Sequence, residues 1–466
     1  ERKGGKPVRR QRAARPAPKV GGGEQPVSRP GLARSVAVVG FWALLAASVG
    51  LWVLDTPPDS LAGPADLITA AGRIAGLAGG YALIVEVLMI SRLGVLERRI
   101  GARDLMRWHR FLGVALVIAI PAHIALIITG YAMNNGASVG AQAWTILTTF
   151  QDVIPAAAAA GVMVAVAALA IRAVRRRLRY EIWHLLHLAG YLVLLLAYGH
   201  QFALGTDLQS PLARSYWLGL YVVTVGCLLW GRLAAPAILN VRHRLRVAEV
   251  VPESADTVSI YLAGRYLPRL QAQPGQYLRW RFLTRYGWWQ SHPFSLSRAP
   301  NRHELRLTVH AAGDHTRKLS SRLRPGTRVL AEGPFGTFTA ARRTCERALL
   351  IAGGSGIAPI RALLDRLPGG SVLIYRAKGP EQLVFREELD RLAGQRGVCV
   401  HYVLGPRSEP AVRQVFTPTG LTQLVPDVDR RDVYLCGPPG MVESAVATLR
   451  RLRVPPRQIH LDPFEF

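Results

Sequence analysis

Cysteine is scarce in this sequence. Four cysteines occur among 466 residues, and none of them belongs to a CxxC pair. Three of the four lie in the second half of the chain, which the loop charges described below assign to the cytoplasm, where thiols stay reduced. The sequence therefore predicts neither a disulfide framework nor a zinc site with the usual cysteine spacing.

Long apolar runs are absent beyond residue 240. Before that point lie six charge-poor runs, at 35–54, 66–91, 111–130, 153–171, 182–204 and 215–235. Each is long enough to cross a hydrocarbon core, for which a helix needs about 20 residues. We therefore expect a multi-domain membrane protein with a six-helix transmembrane bundle at 35–238. The basic segment 1–34 has no apolar signal core and is expected to be a disordered tail.

Acidic residues and lysine are also few. The chain carries 58 basic and 30 acidic side chains, and five of the basic ones are lysine. A basic excess of this size is one mark of a nucleic-acid-binding protein. Arginine-rich composition, loop topology and anionic membrane lipid account for the excess here, so no nucleic acid partner is expected.

The arginines predict how the bundle is oriented. Residues 1–34 hold ten basic side chains, 92–110 hold six and 172–179 hold five, whereas the three alternate loops hold only Arg214. Because loops on the cytoplasmic side retain Lys and Arg, both termini are expected in the cytoplasm. The sequence thus predicts a multi-pass protein of the inner (plasma) membrane.

Four histidines lie in two of the apolar segments. His109 and His123 are 14 residues apart in the third, and His187 and His200 are 13 apart in the fifth. In helices these separations are about 21 and 19 Å, so the two segments present histidines at two matching depths. Intramembrane ionisable residues are costly and mark functional sites. We expect two haems, one held by His109 and His187 and an outer one held by His123 and His200.

Two features complicate this assignment. In an ideal helix, 13 residues leave two side chains about 140° apart, so the fifth helix must tighten or fray, and Gly190 and Gly199 permit this. Pro121 is expected to kink the third helix. His184 could compete with His187, but it is nearer the basic loop, which favours His187 as the ligand. Helix–helix hydrogen bonding is the alternative role for these histidines.

The segments RWHRFLG (107–113) and YEIWHLLHLAGYLVLLLAYGH (180–200) resemble the transmembrane domain of the ferric reductase and NADPH oxidase family. The resemblance implies the same 14- and 13-residue ligand spacings. Arg73 lies within the second helix, where its charge is costly unless it meets an anion, so a propionate of the outer haem is its expected partner. In related oxidases an arginine near the outer haem helps to place oxygen, and the resemblance suggests Arg73 as its match. Related oxidases carry a further histidine one turn beyond the outer ligand of helix three, where this chain has Ile127. A metal or general acceptor reductase is therefore favoured over a superoxide source.

The second half changes to short alternating segments. VSIYLAG (258–264) and ELRLTVH (304–310) predict an antiparallel β-barrel at 240–342. From residue 348 the order is strand LLIAGG, loop SGIAP, helix RALLDRL and strand SVLIYRA, which is a βαβ unit. We expect an α/β nucleotide-binding domain at 345–466.

Two motifs in the barrel point to a flavin. HPFSLS (292–297) resembles the flavin motif of the ferredoxin-NADP reductase superfamily, with the histidine that membrane reductases use. The resemblance implies that His292 lies near the phosphate–ribitol arm and Ser295 near N5 of the isoalloxazine. The second motif, Gly313-Asp-His-Thr316, precedes a helical stretch and suits a pyrophosphate. The expected FAD contacts are His292, Pro293, Phe294, Ser295, Ser297, Gly313, His315 and Thr316.

Two further motifs point to a nicotinamide dinucleotide. A glycine-rich turn between a strand and a helix lets backbone amides approach a pyrophosphate, and the turn at 353–359 is of this kind. Together with CGPP at 436–439 it resembles the superfamily's nicotinamide site, which implies that Cys436 flanks the nicotinamide ring. The expected contacts are Gly353, Gly354, Ser355, Gly356, Pro359, Cys436, Gly437 and Pro438.

Two single residues refine this expectation. Arg376 ends the second strand of the unit, where a guanidinium favours the 2′-phosphate of NADPH over NADH. By resemblance, Phe466 is the aromatic gate that stacks on the flavin, with Phe464 as the second candidate. Ser295, Cys436 and Phe466 are thus the expected catalytic residues.

The order of these parts predicts an outward electron path. Electrons would pass from NADPH through FAD and two b-type haems to an external acceptor, which the sequence leaves open among a metal chelate, O2, a quinone and a protein. An NADPH oxidase that makes superoxide is one alternative. A haem-free transporter or sensor with a regulatory flavin domain is another.

Overall fold

A computed structural model describes residues 30–462, apart from 179, 204–207, 209, 286, 312, 314, 315, 318, 320 and 321. Most of the predicted tail, His315, Phe464 and Phe466 lie outside the described residues. The end of the predicted tail is helical, because the first helix already begins at Pro30.

The first half of the chain is helical. Its helices are α1 Pro30–Asp55, α2 Pro64–Met89, α3 Gly94–Arg99, α4 Ala102–Asn135, α5 Val139–Thr149, α6 Val153–Ala170, α7 Arg172–Arg175, α8 Tyr180–His187, α9 Gly190–Ala203, α10 Pro211–Leu229 and α11 Ala235–His243. Six segments within the described residues are long and apolar enough to cross a membrane, at Leu32–Asp55, Pro64–Met89, Ala102–Asn135, Val153–Ala170, Ile182–Ala203 and Pro211–His243. The predicted six-helix bundle is confirmed, and the chain is a multi-pass membrane protein.

Some predicted boundaries were wrong. Helix α4 begins at Ala102, inside a segment predicted as loop, and α5 occupies part of a predicted outer loop. The last span continues through a π-turn into α11, so the first strand begins at Arg246 and not near 241. The reason is a tertiary contact: the Asn240 amide on α11 donates to the Ala331 carbonyl (3.0 Å) and accepts from the Ala331 N–H (2.8 Å). The strand that contains Ala331 thereby holds the helix end.

The fifth span is broken between its two ligand candidates. Helix α8 ends at His187 and α9 begins at Gly190, one of the two glycines where tightening was expected. The N–H groups of Leu188, Ala189 and Leu192 donate to carbonyls three residues earlier, at 3.2, 3.1 and 2.9 Å. Such turns rotate the chain by about 120° per residue in place of about 100°. The extra rotation reduces the angular mismatch of a 13-residue spacing.

The barrel consists of two antiparallel three-stranded sheets, ordered β1–β2–β5 and β4–β3–β6. Its strands are β1 Arg246–Ser254, β2 Thr257–Ala263, β3 Tyr277–Phe282, β4 His292–Ser295, β5 Glu304–His310 and β6 Val329–Phe335. A bridge between Leu296 and Leu307 joins the sheets, and the fully buried Trp280 lies in the core between them. The expected antiparallel barrel is confirmed.

The last domain is a five-stranded parallel sheet with the order β11–β10–β7–β8–β9. Its strands are β7 Arg347–Gly353, β8 Val372–Ala377, β9 Cys399–Leu404, β10 Arg431–Cys436 and β11 Ile459–Asp462, and its helices are α12 Ile357–Leu364, α13 Arg386–Arg396, α14 Pro410–Val415, α15 Pro418–Leu424 and α16 Pro439–Arg451. The strand order reverses between β7 and β10, and the carboxyl ends of such strands form a ligand crevice. The glycine-rich turn follows β7 and the CGPP motif follows β10.

The barrel packs against one end of the helix bundle, here called the barrel end, and the opposite end is the far end. Arg92 forms an ion pair with Glu332 of β6. The Tyr277 hydroxyl on β3 donates to the Glu97 carboxylate on α3 at 3.2 Å. Burial raises the pKa of Glu97. Arg342, which follows the last barrel strand, donates to backbone carbonyls of α3, so the barrel domain contacts the loop between α2 and α4 at several points.

Candidate functional site

The four intramembrane histidines lie in two facing pairs. The ring centres of His109 and His187 are 6.0 Å apart, and the ring planes are at 82°. Those of His123 and His200 are 6.3 Å apart at 67°. The first pair lies toward the barrel end and the second toward the far end, so the structure brings together the pairs that the spacing predicts.

Each pair has the dimensions of a bis-histidine metal site. A metal lies about 2.0–2.1 Å from an imidazole nitrogen and roughly 1 Å further from the ring centre, which places two axial rings about 6.3 Å apart. Among the residues that the structure describes, the buried Nδ1 atoms of His187 and His200 have no hydrogen-bond partner. Two nitrogen ligands per site suit an iron whose other ligands come from a porphyrin, so these residues fit haem.

His123 is held in a defined orientation by α2. Its Nδ1 lies 2.7 Å from the Gly72 carbonyl oxygen, and donation from Nδ1–H leaves Nε2 free to bind a metal. The ring also packs on Gly76, where an added Cβ would come within 2.6 Å of Nδ1. A glycine is therefore required at this position for the helices to approach.

His109 contacts a residue to which the sequence assigned no role. The Oε2 atom of Glu86, on α2, meets His109 Nδ1. Across the site, the Trp183 ring stacks on His187 with centres 5.0 Å apart. His184 lies elsewhere, within electrostatic range of arginines of the barrel end, which are Arg92, Arg232 and Arg279. It is therefore His187 that faces His109.

Two further residues lie at the depth of the far-end pair. Arg73 is half-buried and follows Gly72, whose carbonyl meets His123. Ile127 packs against α2, since a Cβ added at Gly72 would lie 3.1 Å from its side chain. The position that carries a second histidine in the oxidases is thus filled by apolar packing.

The first barrel motif forms strand β4. His292, Pro293 and Phe294 are half-buried, and the rings of His292 and Phe294 are nearly parallel with centres 6.1 Å apart. Ser295 is buried at the end of the strand. The structure does not bring Ser297 to the same surface: its fully buried hydroxyl accepts from Arg306 Nε at 3.1 Å.

The second barrel motif begins as a closed turn. The Gly313 N–H donates to the Thr316 hydroxyl, which in turn donates to the Gly313 carbonyl, both at 3.0 Å. Gly313 is exposed, as a phosphate contact requires. His315 lies outside the described residues.

The glycine-rich turn and the CGPP motif meet at the switch point of the parallel sheet. Gly356 packs so closely on the Cys436 carbonyl that any Cβ would overlap it. Gly354, with φ of 53°, and Ser355 are exposed just before α12, which leaves this turn open to a ligand. The remaining predicted contacts surround it: Gly353 and Gly437 are buried, Pro438 is exposed and Pro359 is buried in α12.

Arg376 lies beside this turn. It pairs in register with Gly353 on the neighbouring strand, which places it at the carboxyl end of β8. The preceding Tyr375 points into the core, where its hydroxyl accepts from the Val384 N–H at 3.2 Å. Of these two neighbours, only the arginine is available to a dinucleotide.

Asp462 joins the two catalytic candidates, although sequence reasoning did not identify it. The Ser295 hydroxyl donates to Asp462 Oδ2 at 3.5 Å, and the Cys436 thiol donates to the Asp462 carbonyl at 3.4 Å. Burial raises the pKa of Asp462 to about 7, and it raises that of the Cys436 thiol well above its usual value. Its position in the sheet could have identified it, because β11 ends at Asp462 beside the end of β10. Phe466 and Phe464, the gate candidates, lie outside the described residues.

Three family models match successive parts of the chain. Residues 75–198 match the ferric reductase like transmembrane component, 242–339 an FAD-binding domain and 350–447 an oxidoreductase NAD-binding domain. The order agrees with the helical bundle, the barrel and the parallel sheet. Membrane and flavin–nucleotide parts thus occur in one polypeptide.

Curated relatives resemble the soluble half. The reductase component of propane 2-monooxygenase from Rhodococcus jostii (strain RHA1) is 29% identical over 238 residues, 47% of this chain and 63% of that protein. The ferredoxin reductase component of 3-ketosteroid-9-alpha-monooxygenase from Mycolicibacterium smegmatis is 30% identical over 237 residues, 47% of this chain and 65% of that protein. The chain thus spans less than two thirds of either relative.

A solved structure matches the same region. The flavohem-like FAD/NAD binding domain of nitric oxide dioxygenase from Vibrio cholerae has 24% identity and a TM-score of 0.39, covering 47% of this chain and 98% of that one. The family models cover both the membrane half and the soluble half. The chain therefore has the ferric reductase/NADPH oxidase-type architecture, in which a ferric reductase-like transmembrane domain precedes FAD-binding and NAD-binding domains.

Proposed function

We propose that this protein passes electrons from cytoplasmic NADPH, through FAD and two b-type haems, to an acceptor on the outer side of the inner (plasma) membrane. The observation that carries the proposal is the two histidine pairs, whose ring centres are separated by the distance that two ligands of one haem iron require. The barrel that contains the flavin motif packs against the bundle. Ser295 pairs in register with Tyr277, whose hydroxyl bonds to Glu97 at the barrel end of the bundle. The flavin motif thus lies on the strand next to the one that contacts the barrel end of the bundle.

The residues that would hold each cofactor lie in different domains. Bound FAD would convert a hydride into single electrons, and haem iron would carry them one at a time. Gly354, Ser355 and Arg376 would bind the dinucleotide, and Cys436 and Ser295 would line the place where nicotinamide and flavin meet. His109 with His187 and His123 with His200 would hold the irons at two depths. The membrane potential favours outward electron movement by about 2.3 kcal/mol per 100 mV.

We further propose a ferric or other metal acceptor. Ile127 is the observation that favours it, since this side chain packs on α2 where the oxidases have a histidine. Arg73 supports the far-end haem by pairing with a propionate. A superoxide-forming NADPH oxidase is the second candidate, because the far-end histidine pair alone does not discriminate between acceptors.

Oriented vesicles of the full-length protein test the function. With NADPH added on the soluble-domain side, we expect two haems per chain, split reduced bands, and reduction of a membrane-impermeant ferric chelate trapped inside. NADH should support a lower rate at equal concentration. Superoxide release in the absence of metal, at the rate of NADPH consumption, would mean that the protein is a superoxide-forming oxidase and not a metal reductase. A purified protein without haem absorbance would instead favour the haem-free transporter or sensor.

A pH prediction follows from Asp462. Its pKa is raised to about 7, so the carboxyl is protonated below neutrality and ionised above it. Only the carboxylate can take up, through the Ser295 hydroxyl, the proton released when electrons leave for the bundle. We expect the rate of haem reduction by NADPH to rise with pH between about 6 and 8, with a midpoint near 7. Asp462→Asn should lower the rate and abolish this rise.

Stopped-flow absorbance under anaerobic conditions measures this rate. Glu443→Gln changes an exposed carboxylate on α16 and should leave the pH profile unaltered. If the Asp462→Asn variant kept the wild-type rise near pH 7, another group would have to be the proton acceptor.

A further inference from the structure

Glu86 is a buried carboxyl group inside a membrane span. Glu86 lies on α2 within the span Pro64–Met89, and its side chain is 7% exposed. A carboxylate in such a position is costly and is retained for a specific interaction. Its contact with His109 Nδ1 is the interaction that the structure provides.

The contact is part of a regular pattern between two antiparallel helices. Going 14 residues along α4 from His109 leads to His123, and going 14 residues back along α2 from Glu86 leads to Gly72. Gly72 supplies the carbonyl that meets His123 Nδ1. Helix α2 therefore gives each α4 ligand one partner at Nδ1, a carboxylate at the barrel end and a neutral carbonyl at the far end.

The facing ligands do not repeat this asymmetry. The Nδ1 atoms of His187 and His200 are both buried, and neither has a hydrogen-bond partner within the described part of the chain. The two histidine pairs are otherwise alike in ring separation. The chemical difference between the two sites at the ligand Nδ1 atoms thus lies in the partner from α2.

We infer that Glu86 is a positioning residue that accepts the Nδ1–H of His109 and makes the barrel-end haem the lower-potential haem of the two. A carboxylate partner makes an imidazole ligand more basic, and its charge stabilises the more positive ferric state. Both effects lower the reduction potential at the barrel end. Electrons then run downhill from the first haem to the second. This inference rests on the proposed function.

Spectroelectrochemical titration of the full-length haem protein tests the inference. Wild type should show two midpoint potentials, and Glu86→Gln should raise the lower one toward the upper one, which stays unchanged. Glu86→Asp keeps the charge and should retain the lower potential. In a His200→Leu background, the single remaining haem should be the one that shifts. Thr224→Val, a buried polar change on α10, is the matched control and should move neither potential.

The outcomes separate this inference from the proposed function. Unchanged potentials in Glu86→Gln, equal shifts of both, or loss of both haems together would overturn the role of Glu86. Loss of only the barrel-end haem would support it, because the ligand would then depend on its partner. A wild-type protein without haem would overturn the proposed function itself, before any variant is made. Electron paramagnetic resonance of the ferric haems gives a readout that does not depend on activity.

Discussion

Replacing His200 with leucine is expected to halve the haem content, from two per chain to one, and to stop reduction of the external acceptor. His200 faces His123 at the spacing of a shared iron, and leucine offers no ligand. His123→Leu should have the same effect, because each haem needs both of its axial nitrogens to stay six-coordinate. The barrel end and the soluble domains contain none of these residues, so NADPH should still reduce the flavin and the remaining haem.

Two measurements test these effects. The pyridine haemochrome spectrum, divided by protein concentration, gives the haem content, and single-turnover spectra after NADPH addition show which groups are reduced. His184→Leu is the matched control, since it removes a histidine from the same span that faces the arginines of the barrel end. That variant should keep both haems. Loss of flavin reduction in the His200→Leu variant, or loss of a haem in the His184→Leu variant, would contradict the assignment of ligands.

The features that sequence alone predicted are those that local pattern determines. Apolar runs of membrane length gave six spans, and the spacing of His109, His123, His187 and His200 gave the pairs that the structure brings together. Alternating polar and apolar residues predicted the barrel, and the glycine-rich turn between a strand and a helix predicted the parallel sheet. Each of these signals is complete within a short segment, so no distant contact needs to be known.

The features that sequence missed depend on contacts between distant segments. Glu86 and Asp462 acquire their roles from partners 23 and 167 residues away, His109 and Ser295. Ser297 was assigned to the flavin surface by resemblance, yet the fold turns it toward Arg306. The neighbouring strand determines where the last side chain of a motif points, and the sequence of the motif does not include that strand.

A buried ion network connects the barrel to the nucleotide-binding domain. Arg306 of β5 donates to Glu388 Oε2 at 2.8 Å, and Arg361 of α12 donates through Nε to Glu388 Oε1 at 2.8 Å. Both arginines are 4% exposed. Asp365 extends the network by accepting from Arg361 and from the Ala299 N–H, each at 2.8–2.9 Å. This network therefore links a barrel strand to two helices of the nucleotide-binding domain.

Glu388→Gln should therefore destabilise the soluble half and slow flavin reduction by NADPH. The variant keeps the shape of the side chain but leaves two buried guanidinium groups short of one countercharge, which costs about 3 kcal/mol. For a domain pair of this size, that corresponds to a fall of roughly 6–12 °C in the midpoint of thermal unfolding. The exposed pair Arg298–Glu304, at 3.5 Å, provides the control: Glu304→Gln should change the midpoint by little, because such pairs contribute about 0–1 kcal/mol.

The pH dependence of stability gives an independent check. Burial alone would raise the pKa of Glu388, but Arg361 and Arg306 outweigh it and leave the pKa below its usual value. The carboxylate therefore stabilises the folded state at neutral pH, and this contribution is lost as pH falls through the lowered pKa. Wild type and Glu388→Gln should differ most in calorimetric unfolding near pH 7 and converge in acid. A difference that stayed constant down to low pH would mean that packing, and not charge, connects the two domains.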